Sequence, residues 1–262
     1  MEKLVGQLQR LAIAPEQFQG QGICLNSQQH HYLQDVLRLH AGDRFIAMNG
    51  QGQLWLAELL ATPLQATVIA PLVQDTELAL PVMVLAAPPK GNHFDEVVRS
   101  CTEMGVSQIV PLLSERTLLR PSDHKLQRWR RIATEAAEQA HRQQIPQILE
   151  AIPLSKVLAD QDFQKSRLWQ KYICTVDASA PHLLHSLNTV SAAGIVVMIG
   201  PEGGWTQTEL EQAEVAGYQG VSLGRRTLRA VTATCMAVSI AIAHLELQTA
   251  QQGRLVCTKT SL

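Results

Sequence analysis

The chain contains no uninterrupted apolar run of the ~18 residues that a membrane-spanning helix needs, and no basic-then-apolar leader opens it. Both absences predict a cytoplasmic protein with no membrane partner. It also has no C-x-x-C pair, and its five cysteines (Cys24, Cys101, Cys174, Cys235 and Cys257) are scattered and odd in number. That argues against a disulfide framework and a zinc site, and the thiols read as small buried hydrophobes. The phosphate-loop pattern G-x-x-x-x-G-K-[ST] and the dinucleotide fingerprint G-x-G-x-x-G are missing. So are a nucleophile elbow, H-E-x-x-H and a paired acid cluster of metal type, leaving hydrolase and metalloenzyme readings without their parts. A net charge of −1 supplies no bulk attraction to nucleic acid.

What is present is a core-forming composition, 46% hydrophobic over 262 residues, enough for one large domain or two smaller ones. The pattern favours two, over 1–72 and 73–250, with a tail over 251–262. In the first, segments 44–48 and 54–59 flank Asn49-Gly50-Gln51-Gly52, a hairpin signal, and the surrounding short strands predict a small β-barrel. One helix, over 30–39, interrupts it. Residues 71–81 read as a linker. Beyond them strands at 82–86, 108–112, 172–176 and 195–199 alternate with helices at 94–104 and 125–142, which predicts an α/β domain with a mostly parallel sheet. A final helix over 231–247 is apolar nearly all round, so burial on more than one side, including a subunit interface, is expected.

Charge is clustered even though its sum is small. Arg116, Arg120, Lys125, Arg128, Arg130 and Arg131 face the single acid Asp123, and Arg225, Arg226 and Arg229 form a second group. Such clusters can bind phosphates, and a solvated helix face fits the first equally well.

Residues 195–243 hold the strongest local signal. A β-branched strand over 195–199 stops at Gly200-Pro201-Glu202-Gly203-Gly204, a helix follows, and a second strand over 221–223 ends in Gly224-Arg225-Arg226. Thr206 and Glu209 are spaced as a capping box, Thr208 and Glu211 offer the same box two residues on, and Gly217 is placed to end the helix. Glycine turns at the ends of two strands are where an open α/β sheet places a ligand, here a neutral one met by main-chain groups such as an adenine edge. Tight βα turns with no ligand remain the alternative.

Taken together, the motifs resemble a known family. His30-His31-Tyr32-Leu33 with Val36-Leu37-Arg38, Lys90, Cys101-Thr102-Glu103-Met104-Gly105, Ser114-Glu115-Arg116, Arg128-Trp129, Ile145-Pro146, Ile199 through Gly204 and Leu223 through Arg229 stand in the order and spacing of the SPOUT class of knotted methyltransferases. Within it the chain is similar to the RsmE type, the 16S ribosomal RNA uracil-N3 methyltransferases. The resemblance implies a PUA-like N-terminal barrel for RNA, a C-terminal SPOUT domain with a trefoil knot, S-adenosyl-L-methionine as cofactor, no metal, and a homodimer acting on 16S rRNA of the small ribosomal subunit. Carried onto this chain, the cofactor pocket comprises Thr175, Ile199, Gly200, Pro201, Glu202, Gly203, Leu223, Gly224 and Leu228. Arg10, Arg38, Arg116, Arg120, Arg128 and Arg131 are assigned to RNA phosphates, and Arg142 is equally a structural residue.

One position departs from the pattern: where the family reads L-R-x-E-T-A, this chain has Leu228-Arg229-Ala230-Val231-Thr232-Ala233. An acid in a first helical turn has an ordinary dipole explanation worth ~0.3–1 kcal/mol, so its loss is compatible with activity. Methylation at N3 needs a proton removed and the ring anion stabilised. Arg229 is assigned to the anion and Glu202, or water, to the proton. An anchoring role for Arg229 and a helix-capping role for Glu202 are the alternatives. An RNA-binding or ribosome-assembly protein that has lost the chemistry, or a SPOUT enzyme acting on another RNA, also fits the sequence.

Overall fold

The hairpin at Asn49 organises the first half of the protein. In the computed structural model, which describes residues 8–160, 169–177, 179–187 and 193–259, the Asn49 side-chain oxygen accepts from the amides of Gln51 (2.9 Å) and Gln53 (3.1 Å). Gly50 and Gly52 take φ of 69° and 100°, a region that only glycine enters cheaply. The flanking strands are β4 (Arg44–Met48) and β5 (Leu54–Leu59). With β1 (Arg10–Ala12), β2 (Phe18–Gln19), β3 (Gly22–Cys24) and β6 (Gln65–Leu72) they form a six-stranded sheet in the order β1-β4-β5-β6-β3-β2. Every neighbour pair is antiparallel except β1 with β4.

Leu11, Ile13, Ile23, Leu33, Phe45 and Leu59 fill one side of this unit. On the other, Ile46, Met48 and Leu54 pack with Ala137 and Ile145, so β4 is covered on both faces and shows little alternation. The unit ends at Glu77 and takes in Thr134–Ile145 from later in the chain. Hydrogen bonds hold that segment: Ile145 N to Gly50 O (2.9 Å), Gly52 N to Gln143 O (3.0 Å) and Ala12 N to the Glu138 carboxylate (2.6 Å). Arg142, 3% exposed, forms an ion pair with Glu77 at 2.7 Å, which gives it the structural role.

The helix expected over 30–39 begins earlier. Asn26 caps α1 (Ser27–His31), and a π-turn over Tyr32–Val36 continues it, with Leu37 N reaching back to Tyr32 O (3.0 Å). The wider turn keeps Leu33 fully buried, and the chain leaves it through Arg38 at φ 58°.

The second unit starts at Leu78. Its strands are β7 (Val82–Ala86), β8 (Gln108–Leu113), β9 (Gln147–Ile148), β10 (Ile152–Pro153), β11 (Trp169–Cys174), β12 (Gly194–Ile199) and β13 (Gln219–Val221), in the order β10-β8-β7-β12-β11-β13 with β9 also on β8. All these pairings are parallel. The α/β class with a smaller N-terminal β unit is therefore borne out. The helices are α2 (Phe94–Glu103), α3 (Asp123–Gln139, its residues from Thr134 onward counted with the first unit), α4 (Leu154–Ala159), α5 (Leu183–Ser186), α6 (Gln207–Val215) and α7 (Ala230–Lys259). The buried face of α2 is Phe94, Val97, Val98 and Cys101, as its spacing predicts.

The last helix differs from expectation. It runs to Lys259, through most of the expected tail, and residues 260–262 lie outside the described residues. Within one chain it is buried along one stripe, Ala230, Thr234, Ala237, Val238, Ala241 and Leu245, against α2, β7 and β12. Its segment Ala230–Gln251 is long and apolar enough to cross a membrane by length and composition alone. Through Leu247, the rest of its apolar surface is left uncovered by the described residues of the chain.

Candidate functional site

Because the second sheet is parallel, the C-terminal ends of β7, β11, β12 and β13 open on the same edge, where α/β sheets bind ligands. The ladder extends one residue past the strands: Ala87 N donates to Ile199 O (3.0 Å) and Thr175 N to Val221 O (2.8 Å). Beyond that point the backbone groups leave the sheet.

After β12 the chain turns sharply. Pro201 is buried, and Gly204, at φ 68°, donates to Pro201 O over 2.9 Å. The Trp205 indole packs against Gly200, where a Cβ would come within 2.9–3.1 Å of the ring, so a side chain there would collide. Its Nε1 donates to Cys174 O (2.9 Å), joining this loop to the end of β11. Helix α6 then starts on the predicted Thr206/Glu209 capping box, not on Thr208/Glu211, and ends at Gly217 with φ 84°. Glu209, 7% exposed, also accepts from Glu115 N (2.8 Å). Arg116 donates to Gly203 O (2.8 Å) and Trp205 O (3.4 Å). Glu202 is exposed and accepts from Lys90 N (3.3 Å), so it does not cap α6.

The loop after β13 carries the second glycine turn. Leu223 is 8% exposed, Leu228 is half-buried, and Gly224 sits at φ 107° with nothing within 4 Å of where a Cβ would be. The backbone N–H groups of Gly203, Gly224 and Leu228 have no hydrogen-bond partner among the described residues. Arg229 is the N-terminal cap of α7: its carbonyl accepts from Ala233 N (2.8 Å), and its guanidinium is exposed with no ion pair among the described residues. Val231 is half-buried in the first turn behind it. Thr175 is half-buried at the third loop, its Oγ1 accepting from Asp177 N (3.2 Å). Burial pushes the Cys174 thiol up to about 12, which keeps it protonated and removes it as a nucleophile. Among the described residues no group of His, Cys, Asp or Glu could hold a metal ion.

The arginines assigned to RNA do not share one environment. Arg10 is 2% exposed: its guanidinium donates to Arg142 O (3.1 Å) and to the Gln74 side chain, and burial lowers its pKa. It is a core residue of the first unit and the assignment is corrected, because its partners come from segments distant in sequence. Arg116 is held on loop carbonyls. Arg128 pairs with Asp95 (2.7 Å), which also accepts from Trp129 Nε1 (2.9 Å). Arg38, Arg120 and Arg131 are exposed.

Trp205 is a site residue that the motifs do not mark; its one signal in the chain is an aromatic directly after a Gly-Gly turn at a strand end. Glu209 is more than a cap, because its carboxylate spans two loops.

Comparison with known proteins decides the family. An RNA methyltransferase domain matches residues 76–242, and an RNA methyltransferase PUA domain matches residues 25–69. A ribosomal RNA small subunit methyltransferase E from Synechocystis sp. is 43% identical over 90% of this chain and 78% of its own. The chain belongs to the ribosomal RNA small subunit methyltransferase E family. The Bacillus subtilis member is 26% identical over 82% of this chain and 87% of its own. The crystal structure of the Neisseria gonorrhoeae member, bound to S-adenosyl methionine, superposes with a TM-score of 0.79 at 28% identity, covering 89% of this chain and 96% of that one. The glycine loops described above therefore belong to an RNA methyltransferase.

Proposed function

We propose that the protein transfers a methyl group from S-adenosylmethionine to N3 of a uridine in the RNA of the small ribosomal subunit. The observation that carries this reading is the edge where Gly203, Gly224 and Leu228 present N–H groups, and Arg229 an exposed guanidinium, with no partner among the described residues. Main-chain donors at glycines, next to the apolar Leu223 and Leu228, suit a purine edge, and Ile199, Gly200, Pro201, Glu202 and Thr175 complete the rim. Bound there, the cofactor supplies an electrophilic methyl group.

The chain's own residues handle the uracil. Arg229 places a permanent cation at the N-terminus of α7, where the helix dipole adds to it, and both stabilise negative charge developing on the ring. The N3 proton leaves to Glu202 or to water, while the loops align N3 with the methyl group. Val231, half-buried in the first turn of α7 where the family usually has an acid, takes no part. Arg38, Arg120 and Arg131 are the phosphate contacts of this reading. The open apolar face of α7 is covered by the same face of a second copy, making a homodimer.

Mass spectrometry of 16S rRNA from cells lacking the protein tests the assignment. The expected result is loss of 3-methyluridine, restored by the wild-type gene. Unchanged 3-methyluridine overturns it.

A further inference from the structure

Arg116 lies on a short loop after β8, and its sequence setting among basic residues reads as a phosphate contact. Its geometry is different. The aliphatic stem lies against Gly203, with Cβ and Cδ 3.4 Å from where a Gly203 side chain would begin. Its guanidinium donates to Gly203 O at 2.8 Å and Trp205 O at 3.4 Å. A charged donor on two carbonyls of one turn fixes that turn more firmly than a neutral bond would.

A second link runs in parallel. The nearly buried Glu209 accepts from Thr206 N (2.9 Å) with one oxygen and from Glu115 N (2.8 Å) with the other. Ser114, itself 9% exposed, closes the donor loop on itself through Thr117 Oγ1 (2.9 Å). The loop after β8 is thus a rigid brace with Arg116 at its tip, and Trp205 passes the constraint on to Cys174 at the end of β11.

We propose that Arg116 is a positioning residue for cofactor binding: by gripping Gly203 O and Trp205 O it holds the turn at residues 200–204 in the shape that receives S-adenosylmethionine. It acts through the turn, not on the methyl group and not on RNA phosphates. The inference rests on the cofactor reading above.

The test titrates S-adenosylmethionine calorimetrically into the full-length wild type, Arg116→Ala, Arg116→Lys and Glu209→Gln, and measures rRNA binding against salt. Removing a charge-assisted bond is expected to raise the cofactor Kd about tenfold in Arg116→Ala. KM for the cofactor rises in proportion, kcat at saturating cofactor stays within about twofold, and the salt slope of RNA binding is unchanged. Arg116→Lys, which reaches one carbonyl, recovers part of the loss, and Glu209→Gln reproduces the KM effect. An unchanged cofactor Kd with an RNA salt slope reduced by about 0.7 makes Arg116 a phosphate contact and overturns the proposal. If Arg116→Ala does not fold, Arg116→Lys decides: a raised Kd supports the brace and an unchanged Kd overturns it. Absence of cofactor binding by the wild type overturns the cofactor reading itself, and this inference with it.

Discussion

The indole nitrogen of Trp205 donates to the carbonyl of Cys174 over 2.9 Å, so the residue that closes the glycine turn after β12 is tied to the end of β11. The ring reaches that carbonyl only because Gly200 has no side chain. Replacing Gly200 by Ala forces a methyl group to within 2.9 Å of the ring. The expected result is a cofactor Kd raised about tenfold with the fold retained, measured by calorimetry and thermal unfolding. Equal affinities in the two proteins show the turn to be irrelevant to the ligand.

Arg229 is predicted to act on the reaction rather than on cofactor affinity. Arg229→Ala should lower kcat by roughly 10²–10³, the usual effect of losing one preorganised charge, with the cofactor Kd within about twofold of wild type. A parallel fall in affinity assigns it to anchoring.

Arg10 and Arg120 should separate by their response to salt. Arg120→Ala is expected to reduce the slope of log K against log salt by about 0.7, the share of one phosphate on single-stranded RNA. Arg10→Gln should leave the slope alone and lower the melting temperature, because it strips a buried donor set from Arg142 O and Gln74. The reverse pattern means that the two assignments are exchanged.

Glu138 gives a pH dependence of stability. Burial, opposed by the bond from Ala12 N and helped least by the neighbouring Glu135, raises its carboxyl to about 7, above the ordinary 4.5. Between these values the folded protein keeps a proton that the unfolded chain has released, so this group's contribution falls as pH rises and is level above about 7. Glu138→Gln keeps an acceptor for Ala12 N and removes the titration. The variant should match wild type near pH 4 and exceed it near pH 8 by on the order of 1–3 kcal/mol in denaturant unfolding. A constant difference across that range sinks the assignment.

The homodimer predicts its own disruption. Leu247 is 60% exposed on the open face of α7, so Leu247→Glu should cost the monomer little and shift size-exclusion elution toward half the wild-type mass. Unchanged elution at the mass of a dimer moves the interface elsewhere.

Several elements were legible because their causes are local. Strands β4 and β5 follow from Asn49 and two glycines, and the start and end of α6 from Thr206, Glu209 and Gly217, all within a few residues of the structure they set. The α/β class, the two glycine turns and, through the order of its motifs, the family were all legible in the chain alone. What it left open depends on partners far along the chain. Arg10 meets a carbonyl 132 positions away, Arg116 grips one 87 positions away, and Glu209 bridges 94. A guanidinium looks the same in a sequence whether it faces phosphate or a buried carbonyl, because its role is fixed by desolvation and by which groups packing brings within hydrogen-bond reach. Long-range packing sets the rest: Arg10 is a core residue, Arg116 grips the turn at residues 200–204, and Arg229 stands exposed at the start of α7 with no ion pair among the described residues.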